Sequence, residues 1–253
     1  MPGRTLHAFR CVPEGEVKAV LQLSHGMVEF IDRYKPLAEY LAGRGILVTG
    51  HDHLGHGGSI RTKADYGYFA EPDGNRAVLA DLHAMTVRTK ELYRACLIFC
   101  WGTAWVRSMP GSICASMAAN WTEPSSWAPA SSPKRWCSLP KPLPGAGGLS
   151  WLAVPQQVRG QHVLYGLQQR LEGRTTHDWL NRDQAEVDKY LADERCTFTF
   201  TLNAYYSMFS GILRLHDPAF LAKMPKGLPL LFLAGDATRW ANRARACSAP
   251  SRA

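Results

Sequence analysis

Ser24-His25-Gly26-Met27-Val28-Glu29-Phe30-Ile31-Asp32-Arg33-Tyr34 and, further on, Asp52-His53-Leu54-Gly55-His56-Gly57-Gly58-Ser59 are the two stretches whose reading decides the fold of this chain. Each follows a short apolar run. Lys18-Ala19-Val20-Leu21-Gln22-Leu23 leads into the first, and Gly45-Ile46-Leu47-Val48-Thr49, ending at Gly50-His51, leads into the second. Apolar runs of this length, bounded by turn residues, read as buried strands. Between them Leu37, Tyr40 and Leu41 fall at i, i+3 and i+4, one face of a helix over 34–42 that Gly43 closes. Strand, helix, strand predicts a parallel pair.

The same alternation continues outward. Over 76–92, Val78, Leu82, Met85 and Leu92 keep near-helical spacing, and the pattern stops at Tyr93. Helical periodicity returns at Leu164, Leu167 and Leu171, and again over 183–192. Leu228-Pro229-Leu230-Leu231-Phe232-Leu233-Ala234 reads as a buried strand that Gly235-Asp236 ends. Alternating strands and helices predict an α/β fold. From 94 to about 155 neither period holds and Pro, Gly, Ser and Trp dominate; structureless loops that long are uncommon inside compact domains.

With 253 residues, 46% apolar and 20% charged, the composition is globular, which excludes a wholly disordered or fibrous chain. No apolar run reaches the roughly 18 residues that a membrane span needs, and Met1-Pro2-Gly3-Arg4-Thr5 lacks the apolar core of a signal peptide. A cytoplasmic protein with no integral membrane segment is expected. Seven Cys with no CxxC pair read as reduced thiols, not a disulfide framework. The net charge of +8 is unevenly spread: 94–171 holds seven Lys and Arg against one acid, Glu123, and 237–253 holds four Arg and no acid. Six of the eight Trp also crowd into 101–151. These two segments look foreign to their surroundings.

The two opening motifs resemble the α/β-hydrolase superfamily, with the nearest likeness to monoacylglycerol lipase and lysophospholipase-like enzymes grouped with serine aminopeptidase-like hydrolases. The resemblance covers about 16–93 and 163–236. It implies a mostly parallel sheet with a helical cap, the cap being suggested by Asp178-Trp179-Leu180-Asn181-Arg182-Asp183 and Cys196-Thr197-Phe198-Thr199-Phe200-Thr201. It also implies that the Met27 backbone N–H is an oxyanion donor, with His25 and Gly26 shaping its turn. The implied substrate is a lipid-like carboxylic ester, cleaved by a Ser-His-acid mechanism that uses no cofactor or metal. On this reading 1–236 is a single α/β-hydrolase-like domain, 163–220 its cap-like part and 237–253 a basic tail.

What such an enzyme needs next is missing. A nucleophile elbow, G-x-S-x-G at a strand-to-helix turn, should follow the helix ending near Tyr93. The chain has Trp101-Gly102-Thr103-Ala104-Trp105 there, and no G-x-S-x-G occurs anywhere in it. After Gly235-Asp236, where an acid and then a His are expected, it has Ala237-Thr238-Arg239-Trp240. No catalytic triad can be assembled by matching positions, so the chain as written is expected to be inactive.

The genetic code supplies a reason. Read from the third base of each codon, 101–106 yields a Gly, three positions that permit His-Ser-Met, and a second Gly: the elbow GHSMG. Upstream, 93–101 permits PGLPYFLL. In the same offset, 120–128 permits LDGAIIMG, and 237–247 permits DPVG followed by GKGV. These strings belong to the alternative frame and not to this protein. Their positions indicate two frame disruptions, one over 94–162 and one from Ala237. Within the first, Arg94-Ala95-Cys96-Leu97-Ile98-Phe99-Cys100 stays apolar enough for a strand. Trp121-Thr122-Glu123-Pro124 does not suit a buried one, because Pro removes a ladder donor and Glu123 brings a charge.

Two other readings compete. His51, His53 and His56 resemble the HxHxDH zinc motif of metallo-β-lactamase-like hydrolases, but Gly55 stands where that motif has Asp. The basic, Trp-rich 94–171 and the Arg-rich tail could form a nucleic-acid binding surface. Frameshifted GC-rich coding yields the same excess of Arg and Pro, and nucleic acid is not expected as a partner. Glu29 and Asp32, near the Met27 turn, read as solvated or structural groups, and Cys196 as a packing residue.

Overall fold

In the computed structural model the described residues are 5–102, 173–178, 180–214 and 217–222. Their sheet has four strands: β1 (Ala8–Cys11), β2 (Ala19–Ser24), β3 (Ile46–His51) and β4 (Leu97–Gly102), in the order β1-β3-β2-β4. β2 pairs in parallel with both β3 and β4, and β1 adds an antiparallel edge. The helices are α1 (Lys35–Ala42), α2 (Gly74–Leu92), α3 (Gln184–Ala192), α4 (Leu202–Arg214) and the short α5 (Pro218–Leu221).

The expected strand-helix-strand unit is present as β2-α1-β3. β3 runs two residues further than its apolar run, because Gly50 and His51 pair with Phe9 and Ala8 of β1. α1 and α2 cover opposite faces of the sheet. On one face Leu23, Ile31, Ala38 and Val48 form a buried cluster. On the other, the Gln22 amide donates to Leu82 O of α2 at 3.1 Å, and the Thr86 hydroxyl donates to Gln22 Oε1 at 2.8 Å. Gln22 is only 2% exposed, and these bonds offset the desolvation of its amide inside the sheet-helix layer.

α2 begins two residues earlier than its periodicity suggests because the Asp73 side chain caps it, accepting from the Arg76 N–H at 2.9 Å. Val78 and Leu82 are buried as expected. Leu92, on the last turn, is 57% exposed. α4 packs on α2, and a larger core gathers Val28, Leu54, Phe69, Val78, Leu82, Phe200, Tyr205, Met208 and Ile212. Asn203 ties the two regions by accepting from Phe69 N–H at 3.1 Å and donating to Ala70 O at 3.0 Å.

β4 forms within the stretch read as disrupted, in register with β2 from Ala19↔Leu97 to Ser24↔Gly102. The readings of a helix over 164–171, a late strand over 228–236, the elbow position from Thr103 onward, the 120–128 segment and the tail from Ala237 all lie outside the described residues. Among the described residues no helix is long and apolar enough to cross a membrane.

Candidate functional site

The chain leaves β2 toward β3 on one side and later returns to place β4 on the other side of β2. In an open α/β sheet the loops that leave adjacent strands at such a reversal diverge and open a crevice beyond the strand C-termini. Ser24 and Gly102 mark those ends and lie side by side in the ladder. His25, Gly26 and Met27 follow Ser24, so this turn borders the C-terminal end of β4.

Four imidazoles build the floor of the turn. His25, His51, His53 and His56 are each at most 1% exposed. The His25 ring centroid lies 4.2 Å from that of His53 and 5.1 Å from that of His56. His25 Nδ1 is 2.8 Å from Gly26 O, and its Nε2 accepts from the His53 N–H at 2.9 Å. Those partners fix the tautomer with the proton on Nδ1. His56 follows the same pattern, with Nδ1 on Leu54 O at 3.0 Å and Nε2 receiving the Val28 N–H at 3.4 Å. His53 Nε2 is 3.0 Å from the Ser24 hydroxyl. Neither nitrogen of His51 has a hydrogen-bond partner among the described residues.

Burial keeps all four rings neutral. It depresses the pKa values of His51 and His56 to about 4. It also drives those of His25 and His53 well below the ordinary range, with neighbouring imidazoles adding to the effect. The 3.9 Å approach of His25 Nε2 to Asp52 Oδ1 is therefore not an ion pair, since Nε2 carries no proton. Asp52 acts on backbone instead, accepting from Ile31 N–H at 2.6 Å and Gly58 N–H at 2.7 Å. Burial raises its pKa, and those two bonds oppose the rise. Gly57, at φ +47°, lies so close to the Asp52 carboxylate that a Cβ there would collide with it.

Among the described residues no group of three His, Cys, Asp or Glu side chains could hold a metal. The zinc reading of His51, His53 and His56 fails on geometry: both nitrogens of His56 are engaged with backbone, and His53 Nε2 meets Ser24. Gly55 does not supply the missing carboxylate, and Asp52 spends both oxygens on amides.

Above this floor each polar group of the turn can be followed. Gly26 N–H donates to Glu29 Oε1, and Glu29 also receives the Tyr34 hydroxyl and Arg33 Nη1, each at 3.0 Å. Glu29 is thus a brace and not a solvated carboxylate. Asp32 is likewise structural. Its partial burial would raise its pKa, but His7 at 3.2 Å and Lys35 at 3.1 Å outweigh that and lower it. Cys196 packs with Phe30 and Tyr190 as expected, and burial pushes its thiol up to about 12. Val28 N–H goes to His56, whereas Met27 N–H has no partner among the described residues. Val28 adopts φ 53°, an outlier for a β-branched residue. The residue that sequence reasoning missed is Tyr190: its hydroxyl donates to Val28 O at 2.8 Å from a position 162 residues further along.

Comparison with known proteins agrees with this architecture. The profile of the family described as Serine aminopeptidase, S33, matches residues 15–251. Monoglyceride lipase of Mus musculus is 30% identical over 244 residues, covering 90% of this chain and 67% of that protein. Monoglyceride lipase of Homo sapiens is 39% identical over 71 residues, 28% of this chain and 19% of that protein, so that alignment spans under a fifth of the human relative. The carboxyl esterase from Bacillus coagulans superposes with a TM-score of 0.72 at 16% identity, covering 90% of this chain and 74% of that one.

Proposed function

Because the chain belongs to the S33 serine aminopeptidase family of α/β hydrolases, we propose that its site is built for hydrolysis of a carboxylic ester of a lipid-like alcohol, of the monoacylglycerol kind. The observation that carries this is the Met27 N–H, which has no partner among the described residues and lies beside the C-terminal ends of β2 and β4. An unpaired amide fixed at a strand-end crevice is poised to receive the negative charge that develops on a carbonyl oxygen in acyl transfer. The monoglyceride lipase relatives support the substrate class.

On this proposal Met27 supplies one oxyanion donor, and His25 and Gly26 orient it. The same proposal holds that the chain as written performs no acyl transfer, because it contains no G-x-S-x-G and an oxyanion donor without a nucleophile cannot form an acyl-enzyme. The GHSMG string that the offset frame permits would begin at Gly102, directly across from Ser24. A fluorophosphonate probe should therefore leave the purified chain unlabelled. Restoring the offset frame over 94–162 and from Ala237, with the natural downstream coding sequence, should yield an esterase on short acyl esters or monoacylglycerols. Stoichiometric labelling of the unrepaired chain would overturn the inactivity, and a folded, repaired protein without esterase activity would overturn the chemistry.

A further inference from the structure

The turn after β2 is held one peptide plane at a time. A trans peptide places its C=O and N–H on opposite sides, so fixing one aims the other. His25 Nδ1 holds Gly26 O, which points the Met27 N–H away from the histidine floor. His56 Nε2 holds the Val28 N–H. The third plane, which begins at the Val28 carbonyl, is held from outside the sheet by Tyr190 of α3. Val28 at φ 53° is a conformation that costs about 1–3 kcal/mol and persists only where surrounding contacts over-determine it. Turning its carbonyl over would let φ relax and carry the preceding planes with it.

We propose that Tyr190 is a positioning residue for the Met27 amide: its hydroxyl, delivered by α3 to the Val28 carbonyl, locks the left-handed turn that aims the Met27 N–H into the crevice. This rests on the reading of Met27 as an oxyanion donor. It adds that the segment carrying α3, read from sequence as cap-like, sets the geometry of the turn. Tyr190 is itself well anchored. Its ring packs in a buried cluster with Phe30 and Cys196, the Arg33 guanidinium lies 5.0 Å above the ring centroid, and the His177 ring is 5.6 Å away. Arg33 is at the same time held by Glu29, which accepts the Gly26 N–H. The clamp therefore grips both ends of the turn. Burial raises the phenol pKa, so the hydroxyl remains a donor at neutral pH.

The test uses the full chain, isotopically labelled, in three forms: unaltered, Tyr190→Phe, and with 3-fluorotyrosine at position 190. Phe keeps the ring and removes only the donor, whereas fluorination makes the phenol a stronger donor. Tyr190→Phe should speed Val28 amide exchange about tenfold, the worth of one typical hydrogen bond, and should shift the Met27 amide and Val28 carbonyl resonances. The fluorinated form should move both resonances the opposite way. Leu23 in β2 and Val187 in α3 should keep their exchange rates. An unmoved Met27 resonance, equal acceleration at Leu23 and Val187, or shifts of one sign in both variants would overturn the proposal. Since no ester is present, failure here leaves the hydrolase reading standing, and an inactive repaired enzyme leaves these shifts unchanged.

Discussion

His53 donates its backbone N–H to Nε2 of His25 at 2.9 Å, so the turn after β3 is fastened to the turn after β2 by a buried imidazole that accepts on one side and donates on the other. His25→Phe keeps a ring of similar size but orphans the His53 amide and loses the bond to Gly26 O. A buried donor left without a partner costs about 1–3 kcal/mol. The urea midpoint of His25→Phe should fall by a corresponding amount with an unchanged m-value; an unchanged midpoint would contradict the fastening role.

Stability should depend on acidity. His51 and His56 titrate near 4 when folded and near 6.5 when not, so between those values the unfolded chain binds more protons. Stability is complete above about pH 7 and declines as pH falls through 6.5 toward 4. Each of the two contributes a loss on the order of 3 kcal/mol by the bottom of that window. Urea midpoints recorded from pH 8 to pH 4.5 check this, and a flat profile between pH 7 and 5 would refute it.

His51 has the reverse mutational expectation from His25. Both its nitrogens are buried without hydrogen bonds, so His51→Leu removes unpaired polar atoms from a site already sealed at 1% exposure. Replacing an unsatisfied polar group by an apolar one of similar size is neutral or stabilising. The variant should gain about 1 kcal/mol at pH 7 and show a shallower acid decline. A loss above 2 kcal/mol would mean that the ring packs in a way Leu cannot reproduce.

Gly57→Ala should be among the most damaging small substitutions in the chain. The new methyl would meet the Asp52 carboxylate at a φ of +47°, and displacing Asp52 would free the Ile31 and Gly58 amides together. A destabilisation of about 2 kcal/mol or more is expected by chemical denaturation. Gly15→Ala is the matched control, since no atom lies within 4 Å of its added Cβ.

The β2-α1-β3 unit was legible because its strands are continuous apolar runs and its helix shows a single apolar face. β1 was not, since Ala8, Phe9, Arg10 and Cys11 form a short edge strand with exposed alternate residues. α4 carries a readable trace in Ala204, Tyr205, Met208 and Ile212, all buried on one helical face, although buried Asn203 and Ser207 on the same helix blur its apolar period. The histidines were legible as turn residues. Which backbone groups they hold was not, because His25 meets the second motif 28 residues away. The Tyr190 bond to Val28 O has no local signature at all: no periodicity couples two positions so far apart, and only the fold brings them together.

β4 shows how unequally the parts of a protein constrain their own sequence. β4 buries Ile98 and Cys100 and leaves Leu97 and Phe99 exposed, so it asks for apolar residues on one face and extended backbone throughout, and many residues meet that demand. Ile98-Phe99-Cys100-Trp101-Gly102 meets it in this frame, and the string YFLLG that the offset frame permits meets it as well. Ladder bonds to β2 come from main chain, which is indifferent to the frame. A nucleophile two residues beyond the first elbow glycine has no such degeneracy, because a single side chain carries the chemistry. Scaffold is thus written in a redundant alphabet and reactivity in a non-redundant one, so many sequences can lay down this strand against β2 while far fewer would present a nucleophile at its end.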